Sequence, residues 1–185
     1  MGERRTSYRG SFLEVVTEDV ELPNGTRVEL DLVVHPGASA VVPFVSDDEV
    51  LLIRQYRFAA GGHLYEVPAG KLDPGEAPEA CAARELEEEA GRRAGRLVRL
   101  GALWPSPGFT DERIHLFAAF DLEVVEQRLE PDEVIEIVPT ALDRALEMVW
   151  NGELSDAKSA LALIHAARYL GRLQATGGTP RRRSI

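Results

Sequence analysis

The sequence predicts an α/β (α+β) fold in which a mixed sheet lies between helices, and three observations predict it. Short apolar runs of strand character come first and are interrupted by one Glu-rich helical segment; further strand-like runs follow, and two helical segments close the pattern. Several neighbouring runs are joined by turns of only a few residues, which link antiparallel strands, whereas a doubly wound parallel sheet needs a crossover after each strand. A chain of 185 residues suffices for one well-cored domain and an appended arm.

The elements follow in order. Residues 11–35 alternate apolar and polar through Phe12, Leu13, Val15 and Val16, then Val28, Leu30, Leu32 and Val34, around Pro23-Asn24-Gly25. Asn-Gly supplies the positive φ values of a tight hairpin, so this segment reads as a strand-turn-strand arm. Runs at 40–45 and 50–53 flank the polar turn Ser46-Asp47-Asp48-Glu49, and Pro43 places the first of them at an edge or a bulge. At 70–91 the composition turns Glu-rich. Pro78 near the start and Gly91 just past the end frame a helix of about 12 residues.

Strand-like runs return at 98–104, 114–122 and 134–138. A helix then opens with Thr140 as N-cap and Asp143 three residues on, carrying Leu142, Ala145, Leu146, Val149 and Trp150 at helical spacing up to Gly152. A last helix starts near Ser155 with Ala160, Leu161, Ile164, Ala167 and Leu170 on one side. The expected organisation is an arm over 1–37, a main domain over 38–175 and a loose tail over 176–185.

Lys plus Arg number 21 against 31 Asp plus Glu, a net charge of −10, which argues against nucleic acid or an anionic membrane as partner. Any polyanion handled by this chain needs a local Arg, Lys or metal ion. The single cysteine, Cys81, can form no internal disulfide and belongs to no zinc-binding spacing, so a reducing cytoplasm is expected. No apolar run approaches the roughly 18 residues of a membrane span, and no apolar leader follows the first residues.

The Glu-rich helix carries the chemistry. At about 100° per residue, Glu85, Glu88 and Glu89 share one stripe at i, i+3 and i+4; Ala83, Leu86 and Ala90 make an apolar face, and Glu87 points elsewhere. Like charges so placed repel, so the stripe calls for a cation, and a hard divalent ion takes oxygen ligands together with water and substrate phosphate. A solvated face is the ordinary reading of a charge run, but here the residues from Gly70 to Gly91 fit Gly-x5-Glu-x7-Arg-Glu-Leu-x-Glu-Glu-x-Gly. Chance produces such a match with a probability on the order of 10⁻⁶ at ordinary residue frequencies.

This motif resembles the signature of the Nudix hydrolases. The resemblance implies a loop-helix-loop held in an α/β/α sandwich, binding Mg²⁺ or Mn²⁺ and hydrolysing a nucleoside diphosphate linked to another moiety. Carried onto this sequence, it makes Glu85, Glu88 and Glu89 metal ligands, with the carbonyl of Ala69 as a further ligand and Arg84 orienting the glutamates. Gly70, Glu76 and Gly91 are shaping positions. Arg92 stands where the family usually has an aliphatic residue, which weakens packing at the helix end and removes no ligand.

Three flanking segments, Arg54-Gln55-Tyr56-Arg57, Glu66-Val67-Pro68-Ala69-Gly70 and Ser106-Pro107-Gly108-Phe109-Thr110-Asp111-Glu112, resemble the ADP-ribose pyrophosphatase and nucleotide-sugar group of that family, as does Ser155-Asp156-Ala157-Lys158. Arg54 and Arg57 offer cationic forks for a diphosphate, and Tyr56 or Phe109 a ring for a base. Glu66 and Pro107 join the expected substrate contacts. The subgroup's general base often comes from a later acidic loop, here Leu129-Glu130-Pro131-Asp132-Glu133; Glu133 is the first choice and Glu130 the second.

The resemblance also implies a homodimer that exchanges the arm. His35, His63, His115 and His165 show no ligand spacing and read as structural, and Cys81 reads as inert. Two other readings stand beside the nucleotide-sugar one: a Nudix enzyme acting on dinucleoside polyphosphates or oxidised nucleotides, and a non-catalytic nucleotide-sugar sensor. The Pro107 loop and the Arg-Gln-Tyr-Arg run speak against the former, and the intact glutamates against the latter.

Overall fold

The computed structural model describes residues 4–131 and 133–173. The expected tail, 176–185, lies outside the described residues. Strands β1 (Arg4–Arg9), β2 (Glu14–Glu21) and β3 (Arg27–Val34) form a separate antiparallel sheet. The arm is therefore three-stranded; β1, rich in arginine and exposed throughout, lacks the apolar alternation that marks β2 and β3. At the β2–β3 turn, Gly25 has φ +81° and Asn24 is not among the positive-φ residues. The Gly25 N–H donates to Leu22 O and the Leu22 N–H to Thr26 O, a turn with a glycine bulge in place of the expected mirror-image two-residue turn.

The main sheet holds β4 (Ala38–Ser46), β5 (Glu49–Arg57), β6 (Gly62–Glu66), β7 (Ala69–Lys71), β8 (Arg92–Leu103), β9 (Ile114–Val124) and β10 (Ile135–Ala141). Its order is β10-β5-β4-β9-β8, with β6 beside β5 and β7 beside β4; β4 runs parallel to β9 and the other pairs are antiparallel. Helix α1 (Pro78–Ala90) covers one face, with Ala82, Leu86 and Ala90 packed on Val41, Phe117 and Ala119. Ala82 thus takes the core place expected of Ala83, which is half-buried. Helices α2 (Leu142–Asn151) and α3 (Ala157–Tyr169) cover the other face, against Val42, Phe44, Ala118 and Phe120. Burial on both faces explains why β4, β5 and β9 read as continuous apolar runs.

Several expectations shift. Pro43 lies in a central strand; the side of β4 away from β9 is covered by β7 at Ala38–Ala40 and by β5 only from Phe44, so its missing N–H falls in a gap beside the Phe44/Ser46 bulge. β8 starts at Arg92, six residues before the expected strand, because an edge strand tolerates Arg92, Arg93 and Arg96. Thr140 is not an N-cap: it belongs to β10, its hydroxyl donates to Val138 O (2.9 Å), and the Leu142 N–H is capped by Asp48 O (2.8 Å). Asp156, one residue beyond Ser155, caps α3 by accepting the Ser159 N–H (3.0 Å). Among the described residues no helix is long and apolar enough to cross a membrane.

The position of the cleft follows from one defect in the sheet. β4 and β5 pair only near their shared turn, Phe44 with Val50 and Ser46 with Glu49, and then splay apart. The short strands β6 and β7 fill the split, and the polar face of α1 lies over it.

Candidate active site

Helix α1 begins with Pro78 and ends on Gly91 at φ +58°, whose N–H donates to Glu87 O and Leu86 O. A Cβ there would stand 3.0 Å from Val125 O, so both backbone conformation and space call for glycine. On the face turned to the split sheet, Glu85 is 8% and Glu89 2% exposed, and Glu88 is half-buried. Burying these carboxylates requires partners. Arg84 Nη1 donates to Glu85 Oε1 (2.6 Å) and Glu88 Oε2 (3.0 Å), while Nε and Nη2 donate to Glu76 Oε1 and Oε2 (3.0 Å each). The Arg84 hydrogen bonds hold Glu76 below its ordinary pKa.

Glu89 Oε2 accepts the Ala69 N–H (2.8 Å). Burial pushes Glu89 up to about 8; the Ala69 N–H opposes this, and the charges of Glu85 and Glu133 add to it. Burial also raises Glu85, opposed by Arg84 and reinforced by Glu88 and Glu133. The three glutamates do not stand as a ready cage: among the described residues no cluster of three His, Cys, Asp or Glu side chains has metal-holding geometry. Arg84 draws Glu85 and Glu88 to itself while Glu89 turns to the β7 backbone, and all three line one cleft.

The donor set nonetheless fits a hard divalent cation. Every side-chain donor in the stripe is a carboxylate oxygen, and the burial that raises Glu85 and Glu89, reinforced by neighbouring negative charge, is what such an ion offsets. A Cβ on Gly70 would lie 1.9 Å from Glu85 Oε1, so a bare backbone is needed for that carboxylate to sit on β7.

The glutamates open into a cleft of about 630 Å³. Its lining brings together Arg57, Ala69 and Arg84 with Glu85, Glu88 and Glu89, and adds Glu130 and Glu133 from the loop before β10. The Glu130 N–H donates to Glu133 Oε2 (2.8 Å) and the Glu133 N–H to Glu130 O (3.0 Å), which fixes the Glu133 carboxylate. Asp132 lies outside the described residues.

Four expected substrate residues line other surfaces. Arg54 points away from Arg57 because i and i+3 on a strand face opposite sides, and it pairs at 3.5 Å with Glu136 on the neighbouring β10. Tyr56 is on that same outer side, 47% exposed, with its ring edge-on to His63. Pro107 and Phe109 are exposed in the loop after β8, where Phe109 O accepts the Val33 N–H of the arm (2.7 Å).

Glu66 lies beneath the cleft at 1% exposure. Arg57 grips it with two hydrogen bonds, Nε to Oε1 (2.7 Å) and Nη2 to Oε2 (2.8 Å), and Lys158 Nζ donates to Oε2 as well. Burial alone would raise Glu66, but these two cations hold it below its ordinary value. Asp156 and Ser159 extend the network to the Val67 N–H, tying the N-terminus of α3 to the strand that feeds the motif.

Sequence reading missed Gln55, Lys71 and Lys158 as cleft residues. Alternation along β5 puts Gln55 on the Arg57 side and could have found it. No local signal joins Lys158 to Glu66, 92 positions away. His35 is at the cleft with its ring edge-on to Phe12; its Nδ1 accepts the Gly37 N–H (3.0 Å). Cys81 is buried, its thiol pushed up to about 11 by that burial.

Comparison with known proteins assigns the chain to a family. The NUDIX domain model matches residues 34–159. The chain is 41% identical over 158 residues to an ADP-ribose pyrophosphatase of Bacillus subtilis (strain 168), covering 84% of this chain and 85% of that protein. It is 33% identical over 166 residues to a GDP-mannose pyrophosphatase of Yersinia pestis (strain Pestoides F), covering 83% of each. Among solved structures, that of an ADP compounds hydrolase superposes with a TM-score of 0.80 at 27% identity, over 92% of this chain and 95% of that one. With the family model spanning the motif helix, the split sheet and the start of α3, the chain belongs to the Nudix family.

Proposed function

We propose that the protein hydrolyses the diphosphate of ADP-ribose or a related nucleoside diphosphate sugar, releasing a nucleoside monophosphate and a sugar phosphate. The observation that carries this reading is the buried glutamate stripe of α1 facing, across one cleft, the cationic edge of Arg57 and a carboxylate fixed by its own loop. The relatives' names, ADP-ribose pyrophosphatase and GDP-mannose pyrophosphatase, support the substrate class.

Nudix hydrolases work with a divalent metal ion. We assign Mg²⁺ or Mn²⁺ to Glu85, Glu88, Glu89 and the Ala69 carbonyl; when bound, the ion neutralises diphosphate charge and acidifies water. Arg57, with Nε and Nη2 held by Glu66, turns Nη1 to the diphosphate. Glu133, one oxygen engaged by the Glu130 N–H, accepts a proton on Oε1 from the water that attacks phosphorus, with Glu130 next to it as the alternative base. Arg84 spaces Glu85 and Glu88 and touches no substrate. A panel of nucleotide sugars and dinucleotides at fixed Mg²⁺, with products identified, tests the reading. Nucleoside monophosphate and sugar phosphate are expected; exclusive turnover of dinucleoside polyphosphates or oxidised triphosphates refutes it.

We also propose that the arm, 1–37, makes two copies of the 38–175 domain into a homodimer working in the reducing cytoplasm. The arm strands pair with one another and reach the main domain where Val33 meets Phe109, Thr110 and Asp111 and where Phe12 packs under Lys71, leaving Tyr8 and Leu30 about half exposed. Arg54, Tyr56 and Phe109, turned from their own cleft, are then available at the interface. Light scattering decides it: a mass near 20.3 kDa with full activity overturns the dimer.

A further inference from the structure

Among the described residues two buried side-chain atoms have no hydrogen-bond partner, Gln55 Oε1 and His115 Nδ1, and of these residues only Gln55 lines the cleft. Gln55 is 5% exposed. Its cross-strand neighbours are Leu64 on β6 and Ile135 on β10, whose side chains can donate nothing to it. A buried acceptor left unpaired is costly, and one beside a cleft is a place where a ligand's donor can complete it. The side chain shares the cleft face of β5 with Arg57, two residues on and about 7 Å away along the strand.

We propose that Gln55 is a specificity-determining residue whose Oε1 accepts a hydrogen bond from a sugar hydroxyl of the substrate, an inference that rests on the nucleoside diphosphate sugar reading above. The chemistry selects this group. A phosphate diester oxygen carries no proton at neutral pH and cannot donate to a carbonyl. A divalent cation has the charged oxygens of Glu85, Glu88 and Glu89 to choose instead. A donor one short step from the diphosphate, which Arg57 addresses, is the hydroxyl of an attached sugar, because a pentose or hexose is bonded directly to each phosphate. A site built to pair with a hydroxyl rejects the analogue that lacks it, since the buried carbonyl is then left alone.

The test uses ADP-ribose and its analogues lacking one sugar hydroxyl at a time, at fixed Mg²⁺, with the unmodified protein and with Gln55→Leu, which keeps the approximate shape and removes the acceptor. One deoxy analogue is expected to lose about 10-fold or more in kcat/KM with the unmodified protein, and Gln55→Leu to lose a similar factor on ADP-ribose while treating that analogue and ADP-ribose alike. Calorimetric binding of ADP-ribose without added metal should weaken in the same variant. Equal turnover of ADP-ribose and every analogue by the unmodified protein, a measurement that needs no variant, overturns the proposal. So does a Gln55→Leu protein that slows all substrates equally or retains the discrimination. Failure of the unmodified protein to cleave any nucleoside diphosphate sugar overturns the functional reading too, so the two failures are distinct.

Discussion

Replacing Glu66 by Gln removes the charge at the centre of the Arg57–Glu66–Lys158 network while nearly preserving side-chain volume. The carboxylate receives three charge-assisted hydrogen bonds, two from Arg57 and one from Lys158, at 1% exposure. Breaking a buried pair by neutralising one member costs about 3–5 kcal/mol. Two features reduce this: the Arg57 side chain is 39% exposed and can be hydrated, and Lys158 keeps Asp156 at 3.0 Å. The expected loss is therefore about 2–3 kcal/mol, and at about 2–4 °C per kcal/mol for a chain of this size Tm should fall by roughly 4–12 °C at pH 7. The pH dependence has a definite sign. Because the folded protein holds the Glu66 pKa below its unfolded value of 4.5, the stabilisation is complete above 4.5 and disappears as pH falls through the lower, folded value. Thermal melts of both proteins from pH 7 to pH 3 should show the gap closing only below about 4.5. A gap under about 1 °C at pH 7, or one that stays constant into acid, refutes the reasoning.

Glu88→Gln and Glu89→Gln should each lower kcat at least about 100-fold at saturating Mg²⁺ while circular dichroism stays native, since an amide at 89 can still accept the Ala69 N–H; unchanged turnover in both would remove the stripe from the mechanism. Gly70→Ala places a methyl 1.9 Å from Glu85 Oε1, so that carboxylate must leave β7, and a similar loss of kcat with little change in far-UV spectrum is expected from steady-state assays. Arg57→Ala should raise KM more than it lowers kcat. Arg54→Ala separates two arrangements: KM is unchanged if its partner is only Glu136, and raised if a second subunit's cleft receives it.

What the sequence determined by itself is what the helix makes local. Glu85, Glu88 and Glu89 share a stripe because 3.6 residues complete a turn, and Pro78 and Gly91 bound it because one lacks an N–H and the other accepts a left-handed backbone. The apolar runs of β4, β5 and β9 were legible for a similar reason: burial on both faces leaves no polar alternation. The tertiary structure decided everything that depends on which side of a strand meets which neighbour. Arg54 and Arg57, three residues apart in one run, part company because alternate residues of β5 face opposite ways, and Gln55 enters the cleft by the same alternation. Arg84 directs its donors to Glu76, Glu85 and Glu88, so part of the charge repulsion read from spacing is offset within the chain while Glu89 is left to other partners. β1, the start of β8 and the short strands β6 and β7 carry no pattern of their own, since edge and gap-filling strands are held by their partners' backbones rather than by side-chain burial. Lys158 reaches Glu66 across 92 positions only because α3 packs its N-terminus beside the split in the sheet, a register set by the long-range core and by no local spacing.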